Sequence, residues 1–207
     1  MVLGVTQLGN VLYVVSSANI RTFTADTLRP RVNINVKGME HPRDIVVCRD
    51  DRQLYVADCR CIWRVSVSDR TYVNWLSIEL TTDIFDVTAL SVTSRRLLVT
   101  SWQSRRLRQY STTDRQLLRV VELPQYVSEV YHGVETTRGT FVVGHRGTSQ
   151  DKRQDAVSEL FSFVLCSDAY ESENLYTQFA CLFSTTTCQR LQFNIKLVHL
   201  AYCFKSL

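Results

Sequence analysis

The sequence predicts an all-β chain of the β-propeller class, and three observations predict it. An apolar run recurs as Leu12-Tyr13-Val14-Val15, Leu54-Tyr55-Val56-Ala57, Leu97-Leu98-Val99-Thr100 and Thr140-Phe141-Val142-Val143, at steps of 42, 43 and 43 residues. Each run sits among the same kinds of neighbour. Val, Ile, Thr, Tyr and Trp dominate those segments, as half-buried pleated strands require, and helical periodicity is weak between residues 5 and 150.

The neighbours give each unit four strands. Before each run stands a polar turn: Gly9-Asn10, Asp50-Asp51-Arg52, Ser94-Arg95-Arg96 or Arg138-Gly139. A first strand precedes that turn in three units: Asp44 to Cys48, Val87 to Val92, and Tyr131 to Glu135. A third strand follows the run at Ile62 to Val67 and at Leu107 to Tyr110. A second polar turn, Ser68-Asp69-Arg70 or Thr112 to Arg115, leads to a fourth strand at Val73 to Leu76 or Leu117 to Val121. One four-stranded sheet cannot bury both of its faces, and stacking such sheets around an axis does. The expected blades are about 1–39, 40–81, 82–125 and 126–160. Residues 161–207 are expected to form a tail without the repeat.

The second copy carries a resemblance to a known family. His41-Pro42-Arg43-Asp44-Ile45-Val46-Val47, a polar turn, Leu54-Tyr55-Val56-Ala57-Asp58 and then Ile62-Trp63-Arg64-Val65 resemble an NHL repeat. The likeness extends from residue 5 to about 158. It is weaker around Leu97, where Thr82-Asp83-Ile84-Phe85-Asp86 replaces the proline turn, and the copies around Leu12 and Thr140 lack the aspartate. The resemblance implies a six-bladed, TolB-like ring. Four copies then imply an incomplete ring, a truncated copy whose tail is foreign to the propeller. Such an arc leaves sheet faces and edges open, and Leu191 to Phe204 could cover one.

Composition narrows the function classes. The 207 residues carry a formal charge of +4, and only Lys37, Lys152, Lys196 and Lys205 are lysines, so arginine supplies most of the positive charge. That charge is too small to indicate nucleic-acid binding by itself. The seven cysteines, four of them at Cys166, Cys181, Cys188 and Cys203, show no zinc spacing, and reduced thiols in the cytoplasm are expected. The apolar N-terminus lacks a basic start and is broken by Gly9-Asn10, so it does not read as a signal peptide. No run is long enough for a membrane span.

In a propeller, the loop entering the innermost strand and the loop between the second and third strands share one face. That face gathers His41, Arg43, Asp58, Arg60, Trp102, Arg105, Arg106, His145, Arg146, Lys152 and Arg153. The expected partner-binding residues are His41, Arg43, Arg60, Trp102, Arg105, Arg106 and Arg146. Arginine offers bidentate contacts and a stacking plane, and Trp102 in Ser101-Trp102-Gln103-Ser104-Arg105-Arg106 adds an aromatic anchor. NHL propellers resembling this chain use that face for protein or RNA partners. A non-enzymatic scaffold for a protein partner is the expected function. The alternative is RNA binding, because an aromatic beside guanidiniums also suits unpaired bases.

A metal-dependent hydrolase or lactonase-like propeller is a distant third. Asp44 and Asp86 fall 42 residues apart, but no carboxylate recurs in every copy, whereas a hard cation needs about six oxygens. Cys48, Cys59 and Cys61 with His41 fail the ligand spacing of a thiolate site. There is no nucleophile elbow or phosphate-cradling loop, and seven glycines leave little material for one. His132 reads as a hydrogen-bonded core histidine. No catalytic residue, metal, cofactor, small-molecule substrate or membrane contact is expected.

Overall fold

The computed structural model describes residues 3–17, 19–77, 86–125, 127–136, 139–146, 160–166 and 179–182. They form four antiparallel four-stranded meanders. The first holds β1 (Gly4–Leu8), β2 (Val11–Ser16), β3 (Asn19–Thr24) and β4 (Ile34–Asn35). The second holds β5 (Pro42–Cys48), β6 (Gln53–Asp58), β7 (Cys61–Ser66) and β8 (Tyr72–Ser77). The third holds β9 (Val87–Thr93), β10 (Arg96–Ser101), β11 (Arg106–Ser111) and β12 (Leu117–Glu122). The fourth holds β13 (Ser128–Glu135), β14 (Phe141–Arg146), β15 (Leu160–Cys166) and β16 (Phe179–Leu182). The outer half of this last sheet comes from residues after 159, where the repeat pattern fades. No helix long and apolar enough to cross a membrane occurs among the described residues.

The four recurring apolar runs are the second strands, and those of the second and third sheets, β6 and β10, are buried on both faces. Leu54 and Val56 point into one apolar layer with Tyr13, Val15 and Ile20 of the first sheet. Tyr55 and Ala57 point the other way, into a layer with Leu90, Leu97 and Val99 of the third sheet. Leu98 and Leu107 join Val130, Phe141 and Val143 in a third layer, between the third and fourth sheets. The core is therefore three sheet-on-sheet layers. A continuous run such as Leu-Tyr-Val-Ala replaces the alternation of a one-sided strand because both faces leave water.

First strands pack on first strands: β1 on β5, β5 on β9, and β9 on β13. Nothing comparable joins β13 to β1 among the described residues. Strand register places Gly4, Asp44, Ala89 and Gly133 at equivalent positions, opposite Val15, Ala57, Thr100 and Val143. Three of these residues are small, and the reason is space. A Cβ at Gly4 would lie 2.8 Å from the Ile45 nitrogen and 2.9 Å from Asp44 Oδ1. The register corrects the sequence alignment of Asp44 with Asp86: Asp44 matches Ala89, and Asp86 precedes β9.

Asp44 joins two sheets. Its Oδ2 accepts from the Leu90 N–H at 2.9 Å, and Oδ1 accepts from the Ile45 N–H at 2.8 Å. A second join is periodic. The Val87 N–H donates to the Cys59 carbonyl at 3.1 Å, and the Val130 N–H donates to the Trp102 carbonyl at 3.3 Å. Both ends of this bond advance by 43 residues from one sheet to the next.

The turn between third and fourth strands also repeats. Thr24, Ser66 and Ser111 each take their N–H to a carbonyl five residues on, at Arg29, Thr71 and Gln116. Within each turn Leu28, Arg70 or Arg115 is left-handed, with φ of 53°, 61° and 66°.

Candidate interaction face

The loop face lies at the ends of β5, β6, β9 and β10, and hydrogen bonds fix its height. Asp58 ends β6 and is 5% exposed. Its Oδ1 accepts from the His41 N–H at 2.7 Å. Its Oδ2 accepts from the Glu40 N–H at 3.1 Å and from Trp63 Nε1–H at 3.1 Å. Asp58 thus braces the strand-entry loop from below, whereas the sequence reading set it on the binding face. Ser16 and Ser101 hold the matching register positions in the first and third sheets.

β-Bulges aim the residues at the strand entries. The pairing of β5 with β6 slips between Pro42 and Asp44, and Arg43 is the extra residue. A bulge bends the strand and re-aims its side chain. The Arg43 guanidinium accordingly reaches the next blade, 2.9 Å from Asp86 Oδ2, and donates to Cys59 Sγ at 3.6 Å. Arg106 opens β11 and pairs with Glu122 at 2.7 Å. Two of the seven expected contact residues are therefore engaged in ion pairs within the chain.

The others divide as follows. His41 is exposed immediately before β5, and Arg60 is exposed in the two-residue turn between β6 and β7. Trp102 is 40% exposed, with Gln103 and Arg105 also exposed beside it. Arg146 ends β14, opposite Ser128 and Phe161. His145 is buried at 1% exposure, so it lies under the face and not on it. Lys152 and Arg153 lie outside the described residues.

Loop length distinguishes the third blade from the second. Asp58 pairs with Cys61 across a two-residue turn, whereas Ser101 and Arg106 are separated by four residues, Trp102 to Arg105. Trp102 and Arg105 stand out in the sequence by residue type, and Gln103 does not. The signal was the longer interval from Thr100 to Leu107 against that from Ala57 to Ile62, partners within their own sheets.

The three described thiols, Cys48, Cys59 and Cys61, do not converge. Cys48 pairs with Gln53 at one end of β5, while Cys59 and Cys61 flank the turn at the other end. Cys48 is buried, its Sγ donating to Asp51 Oδ2 at 3.5 Å, and burial raises its pKa. Burial also pushes Cys61 up to about 11, helped by the neighbouring Asp58 charge. A thiol held that high stays protonated and is a poor nucleophile and a poor metal ligand at neutral pH. His132 is half-buried on β13 with Nδ1 sealed from solvent, and burial pushes its imidazole down to about 4.

Three solved structures share this architecture. Hydrazine synthase of Kuenenia stuttgartiensis is 12% identical over 88% of this chain and 54% of that one, with a TM-score of 0.62. U3-55K is 17% identical over 80% and 46%, with a TM-score of 0.61. The β-propeller domain of Myceliophteria thermophila Cps50 (Swd1) is 10% identical over 86% and 57%, with a TM-score of 0.57. The chain is an incomplete β-propeller. It spans about half the length of the structures it resembles, and at these identities the likeness concerns the fold alone. No family model matches the sequence, and no curated protein matches it.

Proposed function

We propose that this propeller is a non-enzymatic scaffold of the NHL-like type that binds a partner protein through the loop face of its second and third blades. The observation that carries the reading is Trp102. A large aromatic 40% exposed on a loop whose backbone is bonded to the next blade is pre-organised, so little ordering entropy is lost on contact. Arg60 and Arg105 supply exposed cations on the same face, which favours an acidic patch on the partner.

The test compares proteins cross-linked to wild type and to a Trp102→Ala/Arg105→Ala variant, with melting temperature as the folding control. Loss of a specific cross-linked protein with an unchanged melt is the expected result. An unchanged cross-linked set would reject the face.

The aromatic beside guanidiniums supports a second reading, single-stranded RNA. Under that reading binding to polyuridylate falls steeply with salt, and Arg105→Ala lowers the salt slope by about one. Arg106→Ala changes it less, because Arg106 is paired with Glu122. A flat salt response would exclude RNA.

A further inference from the structure

We propose that the turn ends of the first and second blades form a binding site for a phosphate monoester, held by Arg31, Arg52 and Arg70 around the Tyr13 hydroxyl. The site lies at the opposite end of the strands from the loop face, apart from the partner surface proposed above. Strand pairing builds its first wall. Tyr13 on β2 pairs with Thr22 on β3, and the Arg31 N–H donates to the Thr22 carbonyl at 2.8 Å. Tyr13, Thr22 and Arg31 therefore form one cross-strand row, and directly opposed residues share a face. That face packs on the second sheet, because Tyr13 lies in one apolar layer with Leu54 and Val65. Two turns of the second sheet build the other wall. Arg52 stands two residues before Leu54 and Arg70 two before Tyr72, and Leu54 and Tyr72 both belong to that layer. The Val67 N–H donates to the Arg52 carbonyl at 3.2 Å, which ties the two turns together.

Tyr13 is 4% exposed, and its hydroxyl makes no hydrogen bond among the described residues. Burial raises its pKa, and Arg31, Arg52 and Arg70 pull against that rise, so all three charges bear on the same hydroxyl. The three arginines are exposed and enter no ion pair among the described residues. Asp69 adjoins Arg70, but its carboxylate accepts from the Thr71 N–H at 3.1 Å and the Thr71 hydroxyl at 2.8 Å. Asp51 adjoins Arg52 but turns to the third blade, where it meets Arg95 at 3.3 Å and Thr112 Oγ1 at 3.0 Å. The exposed Asp26 and Asp50 pair with none of the three. The next layer is thus closed by its own carboxylate, Asp51, beside Tyr55, which holds the register place of Tyr13. Two residues before β2, where Asp51 stands before β6, the first blade has Gly9, and a Cβ built there would meet no atom within 4 Å. A phosphate monoester matches this open arrangement. It presents three acceptor oxygens and a charge of about −1.5 to −2 at neutral pH. Guanidiniums bind such oxygens through charge-assisted, often bidentate, hydrogen bonds, and the phenol adds an O–H donor. A phosphodiester or a carboxylate carries a single charge and fewer free oxygens.

The test is isothermal titration of the full chain at low ionic strength with phenyl phosphate, inorganic phosphate and the diester dimethyl phosphate. Phenyl phosphate is expected to bind, and dimethyl phosphate to bind at least about tenfold more weakly. The double variant Arg52→Met/Arg70→Met should lower the affinity for phenyl phosphate about tenfold or more. Tyr13→Phe, which keeps the buried ring, should lower it about threefold. Arg29→Met removes an exposed arginine outside the row and should change nothing. Thermal melts confirm that each variant folds. Absence of binding by wild type, equal affinity for the diester, or an unchanged affinity in the double variant would each overturn the proposal. So would a loss from Arg29→Met as large as that from the double variant, which would mean a diffuse basic surface. Tighter binding of inorganic phosphate than of phenyl phosphate would overturn it in favour of the free anion.

Discussion

At the scale of single residues, left-handed turn positions hold stored strain. Leu28, Arg70 and Arg115 adopt positive φ without being glycine, which costs on the order of 1 kcal/mol each. Arg115→Gly should raise the melting temperature by about 2–4 °C, measured by circular dichroism. The same turns hold depressed carboxyls. Asp69 is pulled down to about 2 by hydrogen bonds from Ser66 and from the Thr71 backbone and hydroxyl, and Asp114 is lowered by its bonds from Ser111 and Gln116. The support from Asp69 is present above the ordinary carboxylate range and is lost as pH falls through about 2.

His132 shapes a higher window. Its folded imidazole titrates near 4 because burial penalises the cation, whereas the unfolded one titrates near 6.5. Between those values the unfolded state binds the proton more readily, so stability is full above 6.5 and falls as pH drops toward 4. The span corresponds to roughly 3 kcal/mol. Urea titrations at about pH 7 and about pH 4.5 should show a larger loss in wild type than in His132→Gln. Equal losses would mean that this imidazole is not what the acid reaches.

At the scale of elements, the joins between blades decide integrity. Glu135 on β13 has a side chain that is almost fully buried and takes three partners from the third blade. Arg96 lies at 3.3 Å, Gln109 Nε2 donates at 2.8 Å, and Arg119 donates as well. Arg119 also stacks 4.5 Å over the Phe141 ring and bonds Gln109 Oε1 at 2.7 Å. Glu135→Ala should destabilise by about 1–3 kcal/mol, since it leaves the buried Gln109 Nε2 without its acceptor. Hydrogen exchange should show β13 losing protection ahead of β6, and uniform loss would argue against a blade-level join.

These joins were hidden in the sequence, while the blades were plain. A strand announces itself through neighbours two residues apart, and the step of 42 to 43 residues repeats that local signal. Asp44 with Leu90 and Asp51 with Thr112 are 46 and 61 residues apart, and no local pattern couples them. Turn length erased the alignment of Asp44, because four residues, Arg49 to Arg52, join β5 to β6, whereas two, Ser94 and Arg95, join β9 to β10. The candidate face was legible as residue types, Trp102 and Arg105 above all. That Arg43 and Arg106 would find Asp86 and Glu122 was not, since ion pairing depends on where side chains meet.

At the scale of the whole molecule, the layers stack along an arc, and each sheet's stability depends on its neighbours. The fourth sheet relies on β15 and β16. A chain ending at residue 159 would leave β14 without its outer partner and should melt at lower temperature, or lose its cooperative transition, by circular dichroism. An unchanged melt would mean that the arc stands on three blades. Under the proposed scaffold function, calcium should leave the melting temperature of the full chain unchanged, since only a cation that binds the folded state raises it. An upward shift would reopen the hydrolase reading.

The bond from the second-strand turns of the second and third blades to the next first strand has an architectural consequence. It uses one backbone carbonyl, that of Cys59 or Trp102, and lies before the residues that vary in number. Everything between Gln103 and Arg105 can therefore lengthen without altering the stacking of sheets. Gene-level insertions there would change what the molecule contacts and leave its folding intact. The same position is where a foreign peptide could be grafted for display.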